Sequence, residues 1–522
     1  MRKLLSLRKL FQNFLVLGLI VLAMSLGLHW ADSRITLIRN MKPYYSAAYI
    51  AAWQHHLSKA IGLVAGQNNA SGDSGAQSSV TVPVLLYHGI IEHPDGENVP
   101  LKNFISQLQE LDKAGWHSIS LTEFDAYIRD GKKLPPKSFL ITFDDGRKDS
   151  FYPVDPLLAA YGDKAAMFII TKGGSLGPES PFYLAQSEIT GMLKTGRWEL
   201  ASHSRYGHTL YPIDAQGNKG HFYGNKLWLA DQQRLETDAE YKARVIADLT
   251  GAKDDLKAAF GIDAQNFAYP FGDVAQQTNY PGSSKVLLDS VRQVYPLSYY
   301  QFWASRGYSQ NSPDPTTSLI KRILVEPSWD GRRLTHELSL GQTKPLPFTD
   351  DFNAGNRGWL TTWGKTDFST DGMLMQASNE GNGASATLDG STLWENYLAA
   401  GTFTLRSGST IRLTARYQST ENNLSCTYRA NHVVMERTVD GHQATMAEGS
   451  DLFNVAPGTS NQLAIKVNGE RVQCLVNGVV IADSDNLQRS LTHGGIGITV
   501  YDPGSKGSSD LLVSHLLIEQ IE

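Results

Sequence analysis

Cysteine is nearly absent from this chain of 522 residues: Cys426 and Cys474 are the only two, and both lie in the last third. That scarcity excludes a small disulfide-stapled scaffold and leaves no cysteine cluster to hold a metal. Charge of one sign is lacking as well. Forty-seven lysines and arginines face 52 aspartates and glutamates, a net of −5, which gives no footing for nucleic acid as a partner. Near the start, by contrast, charge is missing over LFQNFLVLGLIVLAMSLGLHW, residues 10–30. About 20 apolar residues suffice to span a bilayer as a helix. Arg2, Lys3, Arg8 and Lys9 precede the run and would keep the N-terminus in the cytoplasm, sending the rest outward. A cleaved signal peptide is the rival reading. The small-residue site near Ala31 is poor, so an uncleaved anchor is expected.

The composition that is present, 41% apolar and 19% charged, is that of a globular protein, and the length implies roughly two to four domains. Four regions are expected. Residues 1–33 form a cytoplasmic tip and transmembrane signal anchor. Residues 34–79 form a stalk, with a short helix over 43–62 and the small polar linker QNNASGDSGAQSS at 67–79, which cannot bury a core. His55 and His56 are adjacent on that helix, point apart, and read as solvated rather than metal-binding. Residues 80–345 alternate short apolar runs with helical stretches: strands at 82–90, 138–143, 165–170, 198–204 and 266–272, and a helix at 103–116. A second helix carries Tyr241, Val245, Leu249, Ala252, Leu256 and Phe260 on one face, with Gly261 as its stop. Its charged residues read as a solvated surface. Alternating strands and helices over this length imply an α/β parallel barrel, with reactive side chains at the C-terminal strand ends.

Residues 346–522 change period. TIRLTARY at 410–417 alternates apolar and polar residues, and Asn468-Gly469 and Asn477-Gly478 mark hairpin turns between alternating runs. An all-β sandwich or jelly roll is expected. Cys474 shares its strand face with Val472 and Val476, and Cys426 shares its own with Leu424 and Tyr428. If both faces point inward a bridge is conceivable, worth roughly 4 kcal/mol in the chain-entropy model. Two buried thiols are the alternative.

The stretch ITFDDGRKDS, residues 141–150, sets Asp144 and Asp145 side by side where a strand ends. Adjacent carboxylates repel, so they lie in water or share a cation. His203 and His208 in SHSRYGH, with one of the two aspartates, make a set of one carboxylate and two imidazoles that leaves coordination positions open. The second carboxylate would then be free to accept a proton from a water that the metal has made acidic.

These segments resemble the polysaccharide deacetylase family with the NodB-type domain, carbohydrate esterase family four. TFDDG at 142–146 is similar to its first motif, SHSRYGH at 202–208 to its second and AYPFG at 268–272 to its third. VPVLLYHGI and LPPKSFLITFDDG are similar to the subgroup of bacterial poly-N-acetylglucosamine deacetylases. The likeness covers residues 80 to 340. It implies a distorted (β/α) barrel, with Asp144 as general base and Asp145, His203 and His208 as ligands of a divalent metal. Zinc stands foremost, with nickel, cobalt or iron as alternatives. It also implies that the backbone N–H at Phe271 helps hold the oxyanion. The chain departs from the pattern in two places. Ala268 stands where many members have arginine, and Arg322 is the candidate to replace that charge beside Asp144. No clear fifth motif supplies a general-acid histidine; His336 in RRLTHELSL is the late candidate, on what reads as a surface helix. His88 could line the site or bond to its neighbouring backbone, and Trp329 could stack on a sugar or cap the barrel edge.

The last region resembles concanavalin or laminin-G-like jelly rolls, which implies a glycan-binding domain. Trp359, Trp363, Trp394 and Tyr397 are its aromatic candidates, at least half of them core. The expected function is metal-dependent N-deacetylation of an acetylated amino-sugar polysaccharide outside a bacterial membrane, an exopolysaccharide of the biofilm kind. The alternatives are peptidoglycan or chitin-type oligomers as substrate, or a non-catalytic glycan-binding envelope protein. Expected partners are the polymer, the membrane through the N-terminal helix, and other exopolysaccharide synthesis or export proteins.

Overall fold

The computed structural model describes residues 42–64 and 79–521, apart from residue 80 and short stretches at 303–308, 316, 341, 380, 440, 486, 488–490 and 505–506. The expected anchor at 10–30 and most of the linker at 67–79 lie outside the described residues. Among those described, no helix is long and apolar enough to cross a membrane.

The first body is built on eight parallel strands: β1 (Val84–Tyr87), β2 (His117–Ile119), β3 (Ser138–Phe143), β4 (Ala165–Ile169), β5 (Trp198–Ser202), β6 (Asn266–Ala268), β7 (Leu297–Phe302) and β8 (Leu319–Leu324). Their order is β1-β8-β7-β6-β5-β4-β3, and β1 pairs with β3 to close a seven-stranded parallel barrel, with β2 alongside β3. The two-residue period divides the strand side chains. Leu140, Ala166, Phe168, Ala201, Ala268, Tyr299 and Ile320 form the inner cluster. Phe139, Ile141, Phe143, Met167, Ile169 and Phe267 pack outward under the helices. Both faces are apolar because both are covered, as parallel sheets require.

Three strands go beyond the five expected: β2, only three residues long, and β7 and β8. Leu297–Phe302 and Leu319–Leu324 carry polar and charged residues that hide their pattern. The others start and stop within a few residues of expectation. Helix α2 (Leu121–Asp130) adds Phe124, Tyr127 and Ile128 to the inner cluster. Its Asp125 accepts from Asn266 Nδ2 at the start of β6, so α2 closes the N-terminal mouth and leaves the other end open. At that open end the strands deliver the motif residues.

The expected stalk helix is α1 (Lys42–Val64), but it lies against the barrel instead of standing clear of it. Ala48 and Ala52 join the barrel's core cluster, and the His55 ring sits 3.8 Å from that of Tyr161. His55 is therefore packed, and only His56 remains exposed as expected. Small residues at 48 and 52 let the helix approach closely, a signal masked by its alanine-rich composition.

The second body is two face-packed antiparallel sheets around a separate core. One sheet runs in the order 365–369, 372–376, 510–520, 397–407, 459–468, 471–476, 479–484, with 348–350 beside 510–520. The other runs 359–363, 383–388, 495–501, 410–419, 422–439, 442–455. Asn477 and Gly478 take the left-handed turn conformation, with φ of +50° and +83°, which matches the right-handed strand twist. Cys426 and Cys474 form a disulfide that ties one sheet to the other. Trp359, Trp394 and Tyr397 belong to the core, whereas Trp363 is exposed. The alternation in TIRLTARY holds at Ile411, Leu413 and Ala415 but breaks at Arg416. The pairing shifts there, and the Arg416 guanidinium turns inward to bond the carbonyls of Glu395, Gly469 and Leu491.

Candidate active site

Asp144 and Asp145 follow β3 directly. Asp145 (φ +72°), Ser204 (φ +94°) and Phe271 (φ +61°) all adopt left-handed backbone, which costs a residue with a Cβ roughly 1–2 kcal/mol. Three such residues beyond the ends of β3, β5 and β6 mark a site held in shape by its surroundings. Gly146 also turns left-handed (φ +76°), and a Cβ there would lie 2.6 Å from Ser175 Oγ; only glycine fits.

The structure brings Asp144, Asp145, His203, His208 and Arg322 together. Asp145 Oδ1 lies 3.5 Å from His203 Nε2 and 3.4 Å from His208 Nε2. It is buried and has no hydrogen-bond partner. One atom from each of these three side chains falls within 4.8 Å of the others. A buried carboxylate oxygen left bare between two imidazoles fits a divalent cation, because an unsatisfied buried polar atom is otherwise costly. His203 Nδ1 bonds the carbonyl oxygen of Ala268 at 2.8 Å. That bond sets the ring orientation and turns Nε2 toward Asp145.

Asp144 does a different job. Arg322 grips it with two parallel bonds, Nη1 to Oδ1 at 2.6 Å and Nη2 to Oδ2 at 2.7 Å. Arg322 follows Ile320 by two residues on the inward face of β8 and lies over the Phe168 ring. Burial alone would push the Asp144 carboxyl up; the Arg322 guanidinium, helped by His203 and His88, outweighs it and holds the group at about 2. His203 is pulled the other way. Burial lowers it, against the pull of Asp144, to about 4. Near neutral pH the site therefore holds an ionised Asp144 and a neutral His203, the form that binds metals.

Phe271 lies beside the cluster, its ring 4.3 Å from that of His208. His88, at the end of β1, is half-buried and acts electrostatically on Asp144, so of its two expected roles it lines the site. His336 does not join. It is exposed on helix Gly331–Leu340, which packs on the barrel's flank, and nothing links it to Asp144. Trp329 is buried and its carbonyl accepts from Gln107, so it caps the edge.

The charged face of Asp238–Phe260 is not simply solvated. Asp248 is 6% exposed. Its Oδ1 accepts from the Arg205 N–H and the Tyr223 hydroxyl, and its Oδ2 from the Tyr206 N–H. Asp255 accepts from Arg205 Nε and Thr171 Oγ1. The loop between the two histidines is thus clamped to a helix 40 residues further on. At Gly207 a Cβ would lie 2.4 Å from the Tyr223 ring, so the clamp also needs glycine there. Asp248→Ala is expected to weaken zinc binding about 10- to 100-fold, measured by titration against a competing chelator. Unchanged affinity would show that the loop needs no clamp. Sequence reasoning missed Asp248 because it sits one residue before Leu249 in an ordinary amphipathic pattern.

A parallel barrel whose open mouth gathers two carboxylates and two imidazoles belongs to the class of barrel enzymes, which work at the C-terminal strand ends. The family model for polysaccharide deacetylase matches residues 131–284, a stretch that holds β3 to β6 with the acid pair and both histidines. The chain is similar to the poly-beta-1,6-N-acetyl-D-glucosamine N-deacetylase of Staphylococcus aureus strain MRSA252, 30% identical over 178 residues, 34% of this chain and 54% of that protein. It is similar also to the protein of the same name from Escherichia coli K12, 25% identical over 32% of this chain and 26% of that one. Among solved structures, a de-N-acetylase from Aggregatibacter actinomycetemcomitans aligns over 49% of this chain and 99% of its own, at 17% identity and a TM-score of 0.42. The chain thus spans between a quarter and about half of the curated relatives it matches.

Proposed function

We propose that this chain is a metal-dependent hydrolase that removes N-acetyl groups from an acetylated amino-sugar polysaccharide, with poly-β-1,6-N-acetyl-D-glucosamine the foremost candidate. The observation that carries the reading is the buried, unpartnered Asp145 Oδ1 between two imidazole nitrogens, with a second carboxylate held apart by its own arginine. The names of the relatives support the choice of polymer.

Asp145, His203 and His208 would hold the cation, zinc foremost. When bound, such an ion makes a water acidic and polarises a carbonyl oxygen. Asp144 remains a carboxylate across the working pH range and takes the proton of the attacking water. A group at about 2 is a weak base at rest, so its effect comes from being aimed and ionised as the proton moves. The Phe271 backbone N–H is the assigned donor to the oxyanion. His88, within electrostatic reach of Asp144, is placed to protonate the departing amine. The acetyl group leaves as acetate and the sugar keeps a free amine.

The setting is proposed as extracytoplasmic, with the chain tethered by residues 10–30. The disulfide between the two β-sheets supports an oxidising compartment. The purified full chain, loaded with zinc, is expected to release acetate from poly-N-acetylglucosamine oligomers, to stop on chelation and to recover when zinc returns. A zinc-loaded protein that binds the oligomer and releases no acetate would sink the reading.

A further inference from the structure

The two proposed histidine ligands are oriented by different means. His203 has its hydrogen bond to the Ala268 carbonyl. The His208 ring makes no hydrogen bond to a described residue, and its side chain is 22% exposed. An unbonded imidazole at the edge of a cleft is free to turn, and a turned ring is a poor ligand. The constraint on His208 comes from stacking instead. Its ring packs on Phe271 at 4.3 Å. Phe271 packs in turn on His221, nearly parallel, with ring centroids 4.5 Å apart and planes 9° from each other. His221 comes from the hairpin 210–221 that follows the histidine loop. It is pinned from behind by Asp273, Nδ1 to Oδ2 at 2.6 Å. Asp273 is 6% exposed, and its other oxygen accepts the Gln276 N–H.

We propose that His221 and Asp273 are a positioning pair for this site, deepening the deacetylase reading on which the inference rests. Asp273 fixes His221, His221 fixes the Phe271 ring, and that ring fixes the His208 imidazole. The same contacts hold the Phe271 peptide in its left-handed conformation, at the position assigned to the oxyanion donor. His221 does this through Phe271 and not by touching the reacting atoms. Aromatic pairs of this spacing contribute beyond their buried area, and the Asp273 carboxylate restricts His221 to the one ring plane that makes the stack.

The test uses the full chain as His221→Ala and His221→Phe, read by zinc affinity and by acetate release. His221→Ala is expected to weaken zinc binding about tenfold and to lower kcat about tenfold, the scale found for residues that orient metal ligands, with KM for the oligomer little changed. His221→Phe keeps the ring and loses the bond to Asp273. It should recover part of both losses, the remainder being the share that the Asp273 bond contributes. Zinc affinity unaltered in His221→Ala would overturn the proposal, as would a rise in KM alone, which would make His221 a substrate contact. A phenylalanine variant no better than the alanine variant would also overturn it, because ring stacking would then not be the link. Wild-type protein that binds zinc but releases no acetate counts against the deacetylase reading, and the zinc affinities of the variants still decide the pair.

Discussion

Alanine at both His203 and His208 is expected to strip the protein of zinc and to lower acetate release at least a thousandfold. A factor of that size is about 4 kcal/mol of barrier, within the several kcal/mol that a metal supplies to acyl chemistry. The argument rests on Asp145 Oδ1. With both imidazoles gone, a single carboxylate at the mouth of a barrel cannot compete with chelating buffer for a transition metal. The fold should survive, because the two histidines lie beyond the end of β5 and the inner cluster of the barrel does not use them. Metal content by elemental analysis and acetate release on the same sample would decide. A double variant that keeps stoichiometric zinc, or one that loses zinc and still deacetylates, contradicts the assignment of the triad.

Replacing Arg322 should do damage of another kind. Arg322→Met keeps the volume and removes the charge, leaving Asp144 buried with no counter-charge. Breaking one side of a buried pair typically costs about 3–5 kcal/mol, readable as a lower denaturation midpoint. The chemical effect has a definite sign. In the native site the arginine outweighs burial and holds Asp144 at about 2. The stabilisation that its depressed pKa contributes is complete above the unfolded value of about 3.9 and is lost as pH falls from there toward 2. Without the guanidinium, burial dominates and the carboxyl rises. The acid limb of the pH–rate profile should then move to higher pH, and the rate at neutral pH should fall about 100-fold, the order of a lost general base. Arg322→Lys restores charge without the two-pronged grip and should fall between. An unmoved acid limb in Arg322→Met would remove Asp144 from the proton-transfer step.

Those two residues show what could be read early and what could not. Asp144 and Asp145 announce themselves because two like charges in sequence, at the end of an all-apolar run, are locally unfavourable and need a reason. The histidine pair is visible through its spacing and its place after a strand. Arg322 was reachable only by the family resemblance and by asking where a missing charge had gone. In LIKRIL the lysine and arginine obscure the strand, and the partner that neutralises Arg322 stands 178 residues away. His336 illustrates the opposite error. A histidine late in the barrel looked eligible by order along the chain, but its helix packs on the flank, and order along a chain says nothing about which end of a barrel a helix reaches. Asp248 hid in a surface pattern, His221 hid in a hairpin with no pattern at all, and Asp273 stood unremarked one residue past AYPFG. The helix expected as a stalk over 43–62 packs on the barrel instead, because Ala48 and Ala52 look the same in sequence whether they face a neighbour or water.

The linear chain by itself determined the alternation that makes a parallel barrel, the two-residue period and Asn-Gly turns of the sandwich, and the strand-end placement of the acid pair and the histidines. These are local properties: periodicity, turn chemistry and the rule that strand ends carry the reactive groups. Tertiary structure alone decided that β1 pairs with β3 to close the barrel, that Arg322 reaches Asp144 across its interior, and that Asp248 and the stack behind His208 hold the histidine loop in shape. Each of these joins residues from distant parts of the chain whose attraction exists only after burial has removed water and left a single partner within reach.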